Sequence, residues 1–366
     1  MRIVVDVSPL ALPRTGIGNY VRGMVGGLAA ASGDEHQVVA FSATGLPGRR
    51  RIEAALAGLA LERRLAVLPY ARGLRSLWSR AGWPPVERLA GRLDVFHFSD
   101  WMYPAQRGGL RATTIHDLVP LRFPEWTEPQ TRRMHGAKYE NARRTCGLVV
   151  ANSEFTARDI VERLGVPEER VRIAYPGIDP LFGPDGGRSE RGCPYVLTVS
   201  TLEPRKNLGT LVAAFLLLRS RRPELELVIA GAGRAEPAAP GVVYAGFVPD
   251  EELARLYRGA AAFAYPSRFE GFGIPVVEAL ASGVPAVVSA HPSLDEAAGS
   301  AALRADPESP EAWSDALERA LEAGDDVRAR GIEQAARFTW EACGQAVLHG
   351  YLTFYPSGTS STKRES

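Results

Sequence analysis

Apolar and polar residues along this chain follow two periods in turn. Short runs rich in β-branched and aromatic residues occur at Arg2 to Val7, His36 to Phe41, Asp94 to Phe98, Ala112 to Ile115 and Leu148 to Ala151, and each reads as a strand. Helical patterns fill most of the intervals, and such alternation predicts parallel sheets covered on both faces. A stretch rich in Pro, Gly and charge, from Pro176 through Asp179, Pro180, Gly183, Pro184, Asp185 and Gly186 to Gly192, interrupts the pattern before it restarts at Tyr195-Val196-Leu197-Thr198-Val199. A domain boundary is expected there. Beyond it, Asn207 is placed to cap a helix with Leu208, Leu211, Val212, Phe215 and Leu218 on one face. Leu225 to Ala230 reads as the next strand, and Asp250 is placed to cap a helix carrying Leu253, Leu256 and Tyr257. The expected fold is α/β: two Rossmann-like, doubly wound domains facing each other across a cleft between the carboxyl ends of their sheets.

Composition narrows the class. A chain of 366 residues with 45% hydrophobic content can build two cores. Lys and Arg total 43 against 42 Asp and Glu, so no basic excess points to nucleic acid. Cys146, Cys193 and Cys343 are far apart and lack metal-ligand spacing, which argues against a disulfide framework or zinc site and fits a reducing cytoplasm. The N-terminus runs straight into a strand pattern, and no apolar run is long enough to span a bilayer, so a cytoplasmic protein is expected.

The richest chemistry lies in Arg268-Phe269-Glu270-Gly271-Phe272-Gly273-Ile274-Pro275-Val276-Val277-Glu278, which places two carboxylates around a glycine-rich turn. Pro275 suits a first helical turn, and Gly283 with Pro285 beyond it suits the end, so Glu278 is expected in the first turn and Glu270 in the loop ahead. Ala261 to Tyr265 reads as a buried strand, so the glycines fall at a strand's carboxyl end, where open α/β sheets hold ligands. Backbone N–H groups there could donate to hydroxyl or phosphate oxygens. Carboxylates accept hydrogen bonds from polyols and repel a bare phosphate unless it lies nearer amides and cations, so the combination suggests a sugar joined to a diphosphate. The competing reading is two solvated acids favoured by the helix dipole.

Other constellations point the same way. Thr201-Leu202-Glu203-Pro204-Arg205-Lys206-Asn207-Leu208 sets two cations before a helix, where they oppose its dipole unless an anion intervenes. Lys206 stands out because Lys138 and Lys363 are the only other lysines, which hints at a point-charge role; a solvated basic loop is the alternative. Pro13-Arg14-Thr15-Gly16-Ile17-Gly18-Asn19-Tyr20 leads into a helix and could offer amides to a phosphate, although Val21 at the third glycine position makes it a poor dinucleotide fingerprint. His116, in Thr114-Ile115-His116-Asp117-Leu118, ends a strand and is either a site residue or a packed core histidine. His36, His97, His135, His291 and His349 lack metal spacing and read as structural or surface. Arg72, Arg75, Trp78, Arg80 and Trp83, interleaved with Leu74 and Leu77, could make a peripheral contact with an anionic membrane or a lipid-linked acceptor. An ordinary surface helix with one buried face is the alternative.

The stretch from Glu270 to Glu278 resembles the E-x7-E signature of retaining glycosyltransferases with the GT-B fold, in particular glycosyltransferase family 4. The resemblance extends through the glycine loop, Asn152-Ser153-Glu154-Phe155-Thr156, Tyr175-Pro176-Gly177-Ile178-Asp179 and the Glu203-Pro204-Arg205-Lys206-Asn207 loop, in the same order. With the composition break, it implies an N-terminal acceptor domain at 1–178, a linker at 179–192 and a donor-binding domain at 193–340. A helix at 341–355 would return to the N-terminal domain, and the polar tail 356–366 is expected to be disordered.

The resemblance implies retaining transfer of a hexose from a nucleotide-diphosphate sugar to a hydroxyl of a saccharide, glycolipid or lipid-linked acceptor. No Asp-x-Asp triplet occurs, and no metal or other cofactor is expected. By resemblance, Arg205 and Lys206 bind the diphosphate, Glu270 the hexose and Glu278 the ribose. Gly271, Phe272, Gly273 and Ile274 line the donor, Gly16 and Gly18 approach the donor phosphate or acceptor, and His116 lies beside the transferred sugar. The catalytic set is then His116, Arg205, Lys206 and Glu270. Some relatives carry an arginine where this chain has Ser200 or Thr201, so Arg205 is expected to take over that contact. The loops look most like those of mannosyltransferases of polysaccharide or glycolipid assembly, which puts GDP-mannose ahead of UDP-glucose, UDP-N-acetylglucosamine and dTDP-rhamnose. The alternatives are a nucleotide-sugar epimerase of GT-B-like fold and a non-catalytic nucleotide-sugar-binding subunit.

Overall fold

A computed structural model describes residues 1–12, 16–69, 73, 78, 81–99, 104–233 and 239–355. The chain forms two compact units, one of residues 1–177 with the segment from Trp340 onward, the other Ile178–Thr339.

The first unit holds β1 (Arg2–Asp6), β2 (Gln37–Thr44), β3 (Glu62–Val67), β4 (Val95–Phe98), β5 (Leu110–Ile115), β6 (Leu148–Ala151) and β7 (Val171–Ile173). They pair in parallel in the order β3-β2-β1-β4-β5-β6-β7. On β1, Ile3 and Val5 enter the core on one face and Val4 the core on the other. That double burial is why the strand reads as a continuous apolar run.

The second unit holds β8 (Tyr195–Val199), β9 (Glu226–Ala230), β10 (Val242–Gly246), β11 (Ala262–Tyr265), β12 (Ala286–Ser289) and β13 (Leu303–Ala305), parallel in the order β10-β9-β8-β11-β12-β13. One of its cores gathers Trp313, Phe215, Leu227 and Val287.

The helices that bear on function are α1 (Gly16–Ser32), α2 (Pro129–Thr145), α3 (Leu208–Arg219), α4 (Asp250–Gly259), α5 (Ile274–Ala281) and α6 (Trp340–Phe354). Within the first unit, α6 lies against α1 backbone to backbone. A Cβ on Gly27 would stand 1.8 Å from the Trp340 carbonyl oxygen, and one on Gly344 would stand 2.0 Å from the Gly27 carbonyl carbon. Only glycine permits that approach.

The chain departs from the sequence-based expectation at several points. Residues 179–192 belong to the second unit: Ser189 N–H donates to Arg255 O at 2.9 Å, and Arg258 donates to Gly187 O at 2.8 Å and Leu181 O at 3.0 Å. Arg258 of α4 and the Arg255 carbonyl thus fasten this Pro- and Gly-rich stretch. Pro249, not Asp250, stands at the cap of α4. Asn207 does precede α3, but with φ of 54° and its side chain engaged elsewhere than on the helix amides. Trp78 is 6% exposed and packs edge-on against Phe41, with Nε1–H donating to Pro84 O. Its ring is core, which removes it from the proposed membrane contact. Arg72, Arg75 and Arg80 lie outside the described residues, as do Pro13 to Thr15 of the glycine loop and the tail 356–366. Among the described residues no helix is long and apolar enough to cross a membrane.

Candidate active site

In the second sheet the strand order reverses between β8 and β11, and open α/β sheets bind ligands outside the carboxyl ends of the strands at such a switch point. β8 runs into the loop bearing Arg205 and Lys206, and β11 into the loop bearing Glu270 and the glycines. Topology therefore joins two motifs distant in sequence, and Arg268 N–H donates to Arg205 O at 2.9 Å. Lys206 closes a short turn, Pro204–Lys206, and the left-handed Asn207 redirects the chain into α3. That strained residue is held at both ends of its side chain: Nδ2 donates to Pro307 O at 2.6 Å, and Oδ1 accepts from Thr210 Oγ1 at 2.9 Å.

Glu270 is 8% exposed, and donors converge on its Oε1. Lys206 Nζ lies 2.5 Å away, Ser267 Oγ 2.5 Å and Arg205 3.0 Å. Lys206, itself buried, also donates to Tyr265 OH at 2.9 Å and sits 5.0 Å from that ring's centroid. The Glu270 N–H donates to Ser293 Oγ at 3.0 Å, and Ser293 Oγ lies 2.8 Å from His291 Nδ1. Burial alone would raise the Glu270 pKa, but the Lys206 ammonium and then Arg205 overcome it and hold the carboxyl at about 2. Burial lowers the Lys206 pKa, with Glu270 opposing.

Glu278 is 7% exposed and is the fifth residue of α5, so it lies in the second turn, not the first. Tyr257 OH donates to its Oε2 at 3.0 Å. Neither glutamate is a solvated surface acid, and the helix dipole does not account for Glu278. Between them Gly273 adopts φ of 104°, and a Cβ there would stand 2.9 Å from Leu294 Cδ2. The turn that aims α5 therefore requires glycine. The second unit thus brings together Arg205, Lys206, Glu270, Gly271 to Ile274 and Glu278.

The first unit gathers the remaining candidates. Gly16 is exposed at the start of α1, and Gly18, two residues further, is buried. Tyr20 of α1 meets the His116 ring edge-on, centroids 4.8 Å apart. His116 directly follows β5, and its Nε2 is buried without a hydrogen-bond partner. Burial first, then the charges of Lys138, His97 and His135, push its pKa down to about 3. His97, by contrast, is structural, with Nδ1 2.6 Å from Tyr351 OH and Nε2 2.8 Å from Thr114 Oγ1.

Sequence reasoning passed over Tyr257, Tyr265, Ser267, Ser293 and Lys138. The tyrosines sit on apolar faces that look like ordinary core. Lys138 did carry a signal, since it is one of only three lysines in the chain. Among the described residues no group of three or more His, Cys, Asp or Glu could hold a metal ion.

The two units match two family models: "Glycosyltransferase Family 4" over residues 14–181 and "Glycosyl transferases group 1" over residues 187–338. The O-antigen chain mannosyltransferase B of Escherichia coli is 30% identical, over 96% of this chain and 99% of its own. The chain belongs to glycosyltransferase family 4. It is a glycosyltransferase of mannosyltransferase-like kind. A D-inositol 3-phosphate glycosyltransferase of Nocardioides sp. is 29% identical over 71% of this family 4 chain and 67% of its own. Among solved structures, sucrose-phosphate synthase from Thermosynechococcus elongatus aligns with a TM-score of 0.69 at 20% identity, covering 98% of this chain and 100% of that one. Anabaena Alr3699/HepE, solved with UDP-glucose, aligns at 0.68 and 15% identity, covering 96% and 100%. These likenesses establish the GT-B architecture of two parallel-sheet Rossmann-like domains for this family 4 member.

Proposed function

We propose that this family 4 chain transfers a hexose from a nucleotide-diphosphate sugar, GDP-mannose first, to a hydroxyl of a saccharide, glycolipid or lipid-linked acceptor, with retention and without a metal. The observation that carries this reading is the convergence of buried Lys206 and half-buried Arg205 on buried Glu270 at the switch point of the second sheet. A buried ammonium and a half-buried guanidinium at a ligand crevice are preplaced for charge that develops on a leaving diphosphate, and fixed donors in a low-dielectric site act most strongly there. Glu270 takes its protein donors on Oε1, which leaves Oε2 to accept from the hexose. Glu278, oriented by Tyr257, would accept from the ribose hydroxyls.

In the step itself the bond from the anomeric carbon to the phosphate oxygen breaks, with its electron pair leaving on the diphosphate. The acceptor oxygen forms the new bond from the same face, and its proton passes to the departing phosphate oxygen. Gly16 and Gly18 would serve the donor phosphate or acceptor, and His116 would lie beside the sugar. The mannosyl donor and polysaccharide acceptor are supported by the name of the Escherichia coli relative, and a nucleotide-sugar donor by the UDP-glucose complex of the fold neighbour.

The test is calorimetric titration with GDP, UDP and dTDP, then their sugar conjugates, in excess chelator, followed by NMR of the released or transferred sugar. Selective binding of one nucleotide, with product of unchanged anomeric configuration, supports the reading. Inversion, or activity only with added metal, overturns the mechanism; an isomerised nucleotide sugar marks an epimerase, and binding without turnover marks a binding subunit.

A further inference from the structure

Lys138 is a second buried lysine, and its position is unusual. It lies in α2, 5% exposed, and its Nζ donates to the carbonyl oxygen of Thr114 at 2.9 Å. Thr114 is the penultimate residue of β5, two before His116. Its hydroxyl is 2.8 Å from His97 Nε2 on β4, and His97 Nδ1 is 2.6 Å from Tyr351 OH on α6. Lys138 of α2 holds Thr114 by its carbonyl, and His97 of β4, itself backed by Tyr351 of α6, holds it by its hydroxyl, at the strand end that presents His116. Burying an ammonium is expensive.

We propose that Lys138 is a positioning residue for sugar transfer, holding the carboxyl end of β5 and setting the electrostatic surroundings of His116. The proposal rests on the reading above that His116 lies beside the transferred sugar. The groups around that imidazole are Tyr20 from α1, Lys138 and His135 from α2, His97 from β4, Thr156, whose Oγ1 donates to His116 O, and Asp117 next in the chain. Among the charges acting on His116, Lys138 contributes most after burial. An ammonium nearby disfavours a second positive charge, so His116 stays neutral and keeps a lone pair able to accept from a sugar hydroxyl. Without that ammonium the imidazole pKa moves up, while burial, the larger cause, still holds it below its ordinary 6.5.

The test uses full-length Lys138→Met and Lys138→Arg, with transfer kinetics from about pH 5.5 to 8 and nitrogen NMR of the His116 imidazole without substrate. Lys138→Met is expected to lower kcat, more at the acid end than at pH 8, with donor KM within about twofold. Lys138→Arg, which keeps the charge, is expected to recover most of the profile, and His116 should titrate higher in the Met variant than in the wild type. Wild-type kcat and pH dependence in Lys138→Met would refute the proposal, as would protonation of His116 near its ordinary value in the wild type. Should the Met variant fail to fold, the wild-type titration and the Arg variant still decide. Because the NMR readout needs no donor, intact coupling without any turnover would locate the failure in the transferase reading instead.

Discussion

Replacing Lys206 with Met removes an ammonium and asks the fold to bury Glu270 with less compensation. The carboxyl is held at about 2 against an ordinary 4.5, and that gap corresponds to about 3 kcal/mol of native-state stabilisation. Because the folded pKa is the lower one, the contribution is complete above about pH 4.5 and is lost as pH falls through about 2. The lowered pKa of buried Lys206 works the other way and takes back part of it. The intact pair is therefore worth little net, whereas half of it costs roughly 3–5 kcal/mol. Lys206→Met and Glu270→Gln should each lower the melting temperature of the second unit by about 6–20 °C, at roughly 2–4 °C per kcal/mol for a unit of this size. The double variant should lose far less than the sum. In Lys206→Met, burial acts on Glu270 less opposed and its pKa rises. The deficit against wild type is then largest near neutrality and shrinks as acid protonates the carboxyl. Differential scanning calorimetry of the four proteins at pH 7 and pH 5 reads this directly. Additive losses that do not change with pH would refute the coupled, ionised pair. Turnover by Lys206→Met should fall by about two orders of magnitude, as for loss of one fixed donor to a developing anion.

Two further predictions separate the roles around that pair. Glu270→Ala should abolish transfer while leaving much of the nucleotide affinity, whereas Glu278→Ala should weaken nucleotide binding itself, with Tyr257→Phe a milder version at about tenfold for one hydrogen bond to a charged group; unchanged kinetics and binding in both alanine variants would refute the assignment. Lys206→Arg should be nearly as inactive as Lys206→Met, because a planar guanidinium does not fit where one compact charge shares Oε1 with Ser267 and Arg205; kcat within about threefold of wild type would show that charge alone suffices.

How far the sequence could be read follows from where each residue sits. Strands near the middle of the sheets, such as β1, β6, β8 and β11, announce themselves because both faces are buried. The four edge strands do not: β3 reads Glu-Arg-Arg-Leu-Ala-Val, β10 is mostly half-exposed, and β7 and β13 are three residues each. An edge needs charge or brevity to avoid pairing with another chain, and both erase the apolar signal. Glu270, Lys206 and Arg205 were legible because glycine, proline and charge gathered at a strand-to-helix turn suit an anionic, hydroxyl-bearing ligand better than they suit folding alone. That a cation would be seated on Glu270 was not legible, since it depends on β8 and β11 being neighbours, which local pattern does not encode.

The lysines show the same limit from the other side. In a chain that uses arginine for nearly all its positive charge, Lys138 and Lys206 carry the same compositional anomaly, yet only Lys206 also stands in a recognisable loop. Both prove buried, at 5% and 6% exposure, and each reaches a strand's carboxyl end beside a candidate site residue. Arginine suits the surface, where its fork can pair with several acids, whereas at Lys206 one oxygen shared with two other donors favours the slim, rotatable ammonium. The rarity of lysine is therefore physical information about the interior. It points to Lys138 as firmly as to Lys206, although no motif surrounds it and only the folded chain shows that its target is the carbonyl of Thr114.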